Sequence, residues 1–506
     1  MVRAPVDARN ICSAPASRRD APVVVDQGVV GPCTVGPRGA ATLPTMARTG
    51  RTDDRRWSWR SPHDREILRL AVPALGALVA EPLFLLADTA IVGHLGTSSL
   101  AGLGVAGAAL TTVVNLCVFL AYGTTAAVAR HLGAGDLRTA LAQGVDGLWL
   151  AALIGVVAAA GTGLLAAQIV GALGASPSVA PLAQTFLAVS AAGIPAMLVV
   201  LAATGVLRGL QDTRTPLVVF VAGAVANVVL NVALVYGAGL GIAGSALGTV
   251  ITQWCMAAVL AAVVVRGARR HEASLRPDRR GILAAAHAGI PLVVRTLTLR
   301  AALLATTYVA TQQGDVSVAA HQVAFTLWTF LAFVLDSIAI AGQAITGRAL
   351  GASDIDGTRR ATRRMITWGL VVGAVAGALL ALGRPFLLPL FSSDPAVQAA
   401  LGDVLLVAAL LQPISGVVFV LDGVLIGAGD GRFLAVAGVV TLVVFLPLAA
   451  LVMAADGGLV ALWLAFGAFM LARMATLLWR ERGTAWLVTG ATSGRTSRDV
   501  GGRRPA

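Results

Sequence analysis

Twelve apolar stretches, each about 20 residues or longer, follow one another between residues 67 and 480. Their bounds read 67–93, 105–130, 141–168, 181–208, 215–237, 241–265, 283–311, 320–348, 361–382, 399–426, 432–453 and 458–480. At 1.5 Å rise per residue, about 20 helical residues cross a hydrocarbon core of about 30 Å. The runs lack period-two alternation and are too long for barrel strands, so only helices can satisfy their backbone groups inside a bilayer. Composition agrees: 57% of residues are hydrophobic and 12% charged, with mean hydropathy +0.82. Soluble domains carry about 25% charged residues. The fold class expected is an all-α integral membrane protein with twelve transmembrane helices.

The formal net charge of +13 does not argue for a nucleic-acid partner. All 38 basic residues are Arg, and they cluster in the tails and in alternate loops. Loops after the even stretches carry Arg130, His131 and Arg138; Arg208 and Arg214; Arg266, Arg269, Arg270, Arg276, Arg279 and Arg280; Arg348, Arg359, Arg360, Arg363 and Arg364; and Arg432. Loops after the odd stretches carry Arg384 alone. That asymmetry sets both termini on the cytoplasmic side of a cell membrane. Residues 1–60 read as a disordered basic tail, in which Met46 is an alternative start and Trp57 and Trp59 an interfacial anchor. Cys12, Cys33, Cys117 and Cys255 show no CxxC or ligand spacing, and the six histidines form no paired cluster. Neither a disulfide framework nor a metal site is expected.

The two halves repeat. Pro73 recurs as Pro291, an offset of 218 in numbering (291 − 73). The runs "ARHLGAGD", ending at Asp136, and "GRALGASD", ending at Asp354, keep the same offset, as do "RGLQD" at Asp212 and "IGAGD" at Asp430. Helices 1–6 thus duplicate as helices 7–12. An even number of spans per copy makes the repeats parallel, related by an axis along the membrane normal, as in transporters built of two lobes. The organisation expected is a tail at 1–60, one lobe at 61–265, a cytoplasmic linker at 266–282, a second lobe at 283–480 and a basic tail at 481–506. "GLGVAG" (Gly102 to Gly107) and "GLGIAG" (Gly239 to Gly244) fit a dinucleotide fingerprint. That motif needs a strand before it, and here each is placed at an outer turn between membrane helices.

The polar residues inside the apolar runs carry the functional signal. Asp88 lies in the outer half of helix 1, within "EPLFLLADTAIVGHLG". A charge in the membrane interior costs a few kcal/mol even on lenient scales. Desolvation favours the neutral acid, so such a group can take up a proton and release it as its surroundings change. Glu81 shares that helix face seven residues earlier, beside Pro82. Asn227 and Asn231 share a face of helix 5, and Thr249 lies on helix 6. In the second half, Arg295 and Arg300 sit in mid-helix 7 and Asp336 in mid-helix 8, where an Arg–Asp pair between the two helices would offset much of the cost. Arg295 and Arg300 are taken as the only mid-membrane arginines away from helix ends. Asp422 is near the inner end of helix 10, and Asp146 reads as interfacial.

The segments "EPLFLLADTAIVGHLGTSSLAGLG", "GVLRGLQDTRTPL" and "AAHQVAFTLWTFLAFVLDSIAIAGQAI" together resemble the multidrug and toxic compound extrusion family, in its DinF-like branch. The resemblance spans about residues 65 to 480. It implies two six-helix lobes forming a V around a cavity that opens to alternate sides. It further implies export of organic cations, drugs or, in some members, organic acids against inflow of protons or sodium. The family's helix 1 acid matches Asp88, its helix 5 Asn matches Asn227, and its helix 6 Thr matches Thr249. Arg295, Asp336 and Asp422 match the second-lobe positions more loosely. Where many members carry a second helix 5 acid, this chain has Asn231, so Asp88 lacks a like-charged neighbour. Glu81 is the candidate substitute.

The expectation is therefore a secondary exporter of small organic, cationic or drug-like compounds, coupled to H+ or Na+. It needs no cofactor, no nucleic acid and no partner beyond the bilayer, and it works as a monomer. A lipid-linked precursor flippase of the same architecture is the alternative, although two mid-membrane arginines are few for a pyrophosphate. An enzyme would need a clustered nucleophile or metal set, and none is present in the motifs.

Overall fold

The computed structural model describes residues 62–492, all within one unit, Trp59–Ala506. The tail at 1–60, with Met46, Trp57 and Trp59, lies outside the described residues, as do residues 493–506. Every regular element among the described residues is helical. The first half holds α1 (Pro62–Gly93), α2 (Thr97–Leu116), α3 (Phe119–Gly133), α4 (Leu137–Leu164), α5 (Ala166–Ala172), α6 (Ala180–Ala191), α7 (Ile194–Gly209), α8 (Arg214–Val232) and α9 (Gly241–Arg270). A π-helical turn, Ala233–Gly237, extends α8. The second half holds α10 (Arg279–Gln312), α11 (Asp315–Gly351), α12 (Ile355–Phe391), α13 (Pro395–Gly427), α14 (Gly431–Ala454) and α15 (Gly458–Arg482).

Among the described residues, 11 helices are long and apolar enough to cross a membrane, with α2 and α3 counted as one. The pair α6–α7, bent by 50°, makes the twelfth. The bend falls at Ala192–Gly193, just before Pro195 removes a backbone donor. Most of the helices also start a few residues earlier than the apolar runs, taking in polar residues at their first turns. One consequence corrects the sequence reading of "GLGVAG". Gly102–Gly107 lies inside α2 rather than at a turn, and Gly102 lets α2 pack on Leu182 and Ala183 of α6. "GLGIAG" does form a turn, with Gly239 and Gly241 at positive φ.

The repeat is written in backbone geometry. Asp136 caps α4 by accepting from Thr139 N at 2.9 Å. Its repeat equivalent Asp354 (136 + 218) caps α12 by accepting from Gly357 N at 2.7 Å. The bonds from Thr139 hold the exposed Asp136 carboxyl below its ordinary pKa. Left-handed turn residues recur at the same offset: Gly96 with Gly314, Gly135 with Ser353, and Gln211 with Gly429. The shared motifs are therefore turns and caps that end one helix and start the next.

Both described chain ends lie at the arginine-rich face, as an even number of spans requires. There α3 of the first lobe and α11 of the second cross closely. Gly133 lies against the Arg348 carbonyl, and Gly351 lies against the Arg130 carbonyl. Because 133 + 218 = 351 and 130 + 218 = 348, the contact exchanges equivalent residues about a pseudo-two-fold axis. A side chain at either glycine would meet backbone and push the helices apart. The N-terminal end of α1 crosses over as well, burying Ile67, Leu70 and Ala71 in the second lobe's core. Between the lobes, α9 runs on to Arg270 and α10 starts at Arg279. The Asp146 carboxylate of α4 accepts from Asp278 N at 3.0 Å and is buried. It ties the start of the second lobe to the first.

Candidate functional site

The first lobe gathers one acid among neutral donors. Asp88 is 4% exposed on α1. Its Oδ1 accepts from Asn231 Nδ2 at 2.9 Å and from the Ser245 hydroxyl. Asn231 also donates to Asn227 Oδ1 at 3.0 Å, and Asn227 donates to Thr249 Oγ1 at 3.2 Å. Asn227, Asn231 and Ser245 are completely buried. Four of the residues singled out in the sequence thus form one chain of hydrogen bonds across α1, α8 and α9. Two local features place it. Gly248 on α9 leaves room for the Asn231 amide, whose oxygen sits where a side chain would begin. The π-helical turn follows closely after Asn231, and Tyr236 within it donates to the Ile91 carbonyl at 2.7 Å, pinning α8 to α1. Ser245 was missed from the sequence. Its signal was present: it precedes Thr249 by one helical turn, on the same face of α9. Glu81 lies on α1, but its side chain is outside the described residues.

The second lobe gathers one acid between two cations. Asp422 on α13 accepts from Arg295 of α10, and from Arg473 Nη2 of α15 at 2.6 Å. The three side chains are 6%, 14% and 10% exposed, respectively. A cavity of about 10 Å³, the size of one water, lies beside them among Thr298, Thr441 and Thr476. This overturns the expected pairing: Arg295 is bonded to Asp422, not to Asp336. Asp336 is half-buried and acts on Arg295 and on Arg208 of α7 through space only. Arg300 is exposed on α10, away from this cluster. Arg473 also corrects the view that Arg295 and Arg300 were the only arginines within the spans. It is a lone charge inside an apolar run, the same signal that picked out Arg295. Arg295 further lies over the Tyr122 ring of α3, 6.0 Å from its centroid, so the second-lobe cluster touches the first lobe at mid-membrane.

Among the described residues no group of three or more His, Cys, Asp or Glu could hold a metal ion. Cys117 and Cys255 are free thiols. The polar ties between the lobes gather at the arginine-rich face. Asp64 of α1 binds Arg364 of α12 through both carboxylate oxygens, at 2.6 and 2.7 Å, and accepts from Trp368 Nε1 at 2.8 Å. Arg348 of α11 reaches Glu66 of α1 and Gln211 Oε1, the latter at 2.8 Å.

The family model described as MatE matches residues 73–233 and 291–451. The two matches are offset by 218 at both ends (291 − 73 and 451 − 233), the same spacing as the repeated motifs. Protein DETOXIFICATION 44, chloroplastic, of Arabidopsis thaliana is 32% identical over 430 residues, covering 82% of this chain and 81% of its own. DNA damage-inducible protein F of Escherichia coli (strain K12) is 30% identical over 443 residues, covering 83% and 92%. Among solved structures, the outward-facing conformation of a multidrug resistance MATE family transporter of the MOP superfamily superposes with TM-score 0.77. It is 23% identical and covers 84% of this chain and 97% of its own. A MOP superfamily transporter from Pyrococcus furiosus, reported with reversed polarity of its binding pocket, also superposes with TM-score 0.77, at 22% identity over 84% and 97%. These relatives are transporters rather than enzymes, and they do not favour a lipid-precursor flippase. With a family model spanning both halves of the chain at the spacing of its internal repeat, the protein belongs to the multidrug and toxic compound extrusion (MATE) family of efflux transporters.

Proposed function

We propose that this chain is a proton-coupled antiporter of the cytoplasmic membrane, with the arginine-rich face and both termini inside, that exports small organic compounds as a monomer. The observation that carries the reading is Asp88, a buried carboxylate held by an amide and a hydroxyl, with no cation bonded to it among the described residues. Those two groups point hydrogens at Oδ1, so they support either a carboxylate or an acid protonated at Oδ2. Asn231, Asn227 and Thr249 extend the network, so a change of protonation at Asp88 reaches three helices. The lobes are tied at the cytoplasmic face. The reading makes this the outward-open state, which releases substrate and accepts a proton before the lobes rearrange. A coupling ion can drive that step only by binding the two states with different affinity.

The cargo class expected from the family resemblance is organic cations or drug-like molecules. The test is dye or drug efflux in reconstituted vesicles, with a proton gradient or a sodium gradient imposed separately. A proton gradient alone should drive efflux, and Asp88→Asn should abolish it while the protein remains folded in the membrane. Sodium-driven efflux, or full efflux by Asp88→Asn, would overturn the assignment.

A further inference from the structure

Residues 483–490 follow the last membrane helix and fold back over the cytoplasmic ends of the bundle. Trp486 is 1% exposed and Leu487 is also buried, both within the second lobe's core. Trp486 Nε1 donates to the Glu481 carbonyl at 3.0 Å. Gly490 N donates to the Leu350 carbonyl of α11 at 3.0 Å, and Arg359 of α12 donates to the Gly483 carbonyl at 3.3 Å. The segment is therefore fastened to the second lobe at both ends and in the middle. Gly490, at φ +98°, makes the turn that brings its own carbonyl back toward the lobe interface.

Among the described residues, the hydrogen bonds from the first lobe to this segment come from one side chain. Arg130, at the end of α3, is 2% exposed. Its Nη1 donates to the Val488 and Gly490 carbonyls, each at 3.0 Å, and its Nη2 donates to the Ala428 carbonyl at 2.6 Å. Among the described residues no carboxylate bonds this guanidinium. Three backbone carbonyls stabilise it, and two of the three come from the segment. Arg348, its repeat equivalent, sits with 40% of its side chain exposed and binds Glu66 and Gln211 instead. Both arginines reach the turn that ends the fourth span of the opposite lobe, since Gln211 and Ala428 lie in equivalent turns (211 + 218 = 429). Among the described residues, only Arg130 of the two is roofed by a stretch that follows the last membrane helix.

We propose that residues 483–490 are a strap that Arg130 grips, and that this grip holds the cytoplasmic gate closed. The inference rests on the alternating-access reading above. Opening inward must draw α3 away from α13, which breaks all three Arg130 bonds and strips a buried guanidinium of its acceptors. Hydrogen bonds to a charged group are the stronger kind, and losing them together makes the closed state the favoured one. The strap thus sets the balance between outward-open and inward-open forms without touching substrate or the Asp88 network.

The experiment measures the gate directly, by spin-label distances across the cytoplasmic face in the full-length protein in vesicles. Labels go at Arg138 and Arg360, both exposed, after Cys12, Cys33, Cys117 and Cys255 are changed to Ser. A chain ending at Arg482, or carrying Arg130→Ala, should raise the inward-open population about tenfold. The two changes together should do no more than Arg130→Ala alone, because the strap acts through Arg130, which also bonds the Ala428 carbonyl. A chain ending at Thr492 keeps the strap and should match the full-length protein. Trp486→Ala, which loosens the strap without altering the interface, should shift the distances in the same direction and serves where Arg130→Ala fails to fold. Unchanged distances in the chain ending at Arg482, or additive effects in the double variant, overturn the strap. The distances require no transport, so failure of the Asp88 assignment would show in the efflux assay alone.

Discussion

The two lobes share a six-span topology and differ in how they keep one buried acid. In the first, Asp88 sits among Asn231, Ser245, Asn227 and Thr249. The equivalent positions in the second lobe, at the repeat offset of 218, are Thr306, Ala449, Trp463, Phe445 and Gly467. Phe445 and Trp463 are core side chains, and the Thr306 hydroxyl is spent on the Ala302 carbonyl. In the second lobe, Asp422 sits between Arg295 and Arg473. Subtracting 218 gives Thr204, Ala77 and Cys255 in the first lobe. Each lobe therefore has a polar centre that its twin lacks. The physical contrast is between a lone acid that neutral donors let exist in either protonation state and an acid locked into its charged form by two guanidinium groups. Duplication supplied the frame, and divergence gave one lobe a buried acid among neutral donors, the group we propose exchanges a proton, and the other an acid braced by two guanidinium groups.

The sharpest way to break this comparison is to neutralise each acid in turn. Asp88→Asn should abolish gradient-driven efflux, by about 100-fold or more, yet change stability by less than about 1 kcal/mol, since a neutral side chain there needs no counter-charge. Asp422→Asn should do the reverse in kind. It leaves two buried guanidinium groups without an acid and should cost about 3–5 kcal/mol, read as a lower melting temperature in detergent. If both variants lost efflux with unchanged melting, the distinction between the lobes would fail. Gly133→Ala and Gly351→Ala test the symmetric part. Each puts a methyl group into an opposing helix and should cost about 1–3 kcal/mol, with equal losses on the two sides of the pseudo-two-fold axis. Ser245→Ala removes one donor from Asp88 and should lower the efflux rate about tenfold, whereas Thr306→Ala, at the position equivalent to Asp88, should leave it unaltered. The smallest effect belongs to Arg300→Ala. This side chain is exposed on α10, so stability should stay within about 0.5 kcal/mol and efflux should be unchanged.

Much of this was legible in the chain itself. Hydrophobic length alone dictates helices, because a bilayer offers backbone groups no other partner. The constant offset of 218 announced the duplication, and the turns and caps behind it follow from local rules of φ and side-chain capping. Asp88, Asn227, Asn231 and Thr249 could be picked out one by one as polar residues in apolar runs. Even Ser245 and Arg473 carried a readable signal in their spacing and isolation. What the one-dimensional chain could not settle was partnership. It pointed to Asp336 as the partner of Arg295, and the pairing with Asp422 instead depended on how α10, α11 and α13 rotate about their axes. Nor could it show that residues 483–490, read as the start of a basic tail, lie over Arg130. Helix rotation and lobe packing are set by the sum of many small contacts between segments far apart in sequence, so burial in the membrane was determined locally, and the pairing of charges inside it only by the tertiary structure.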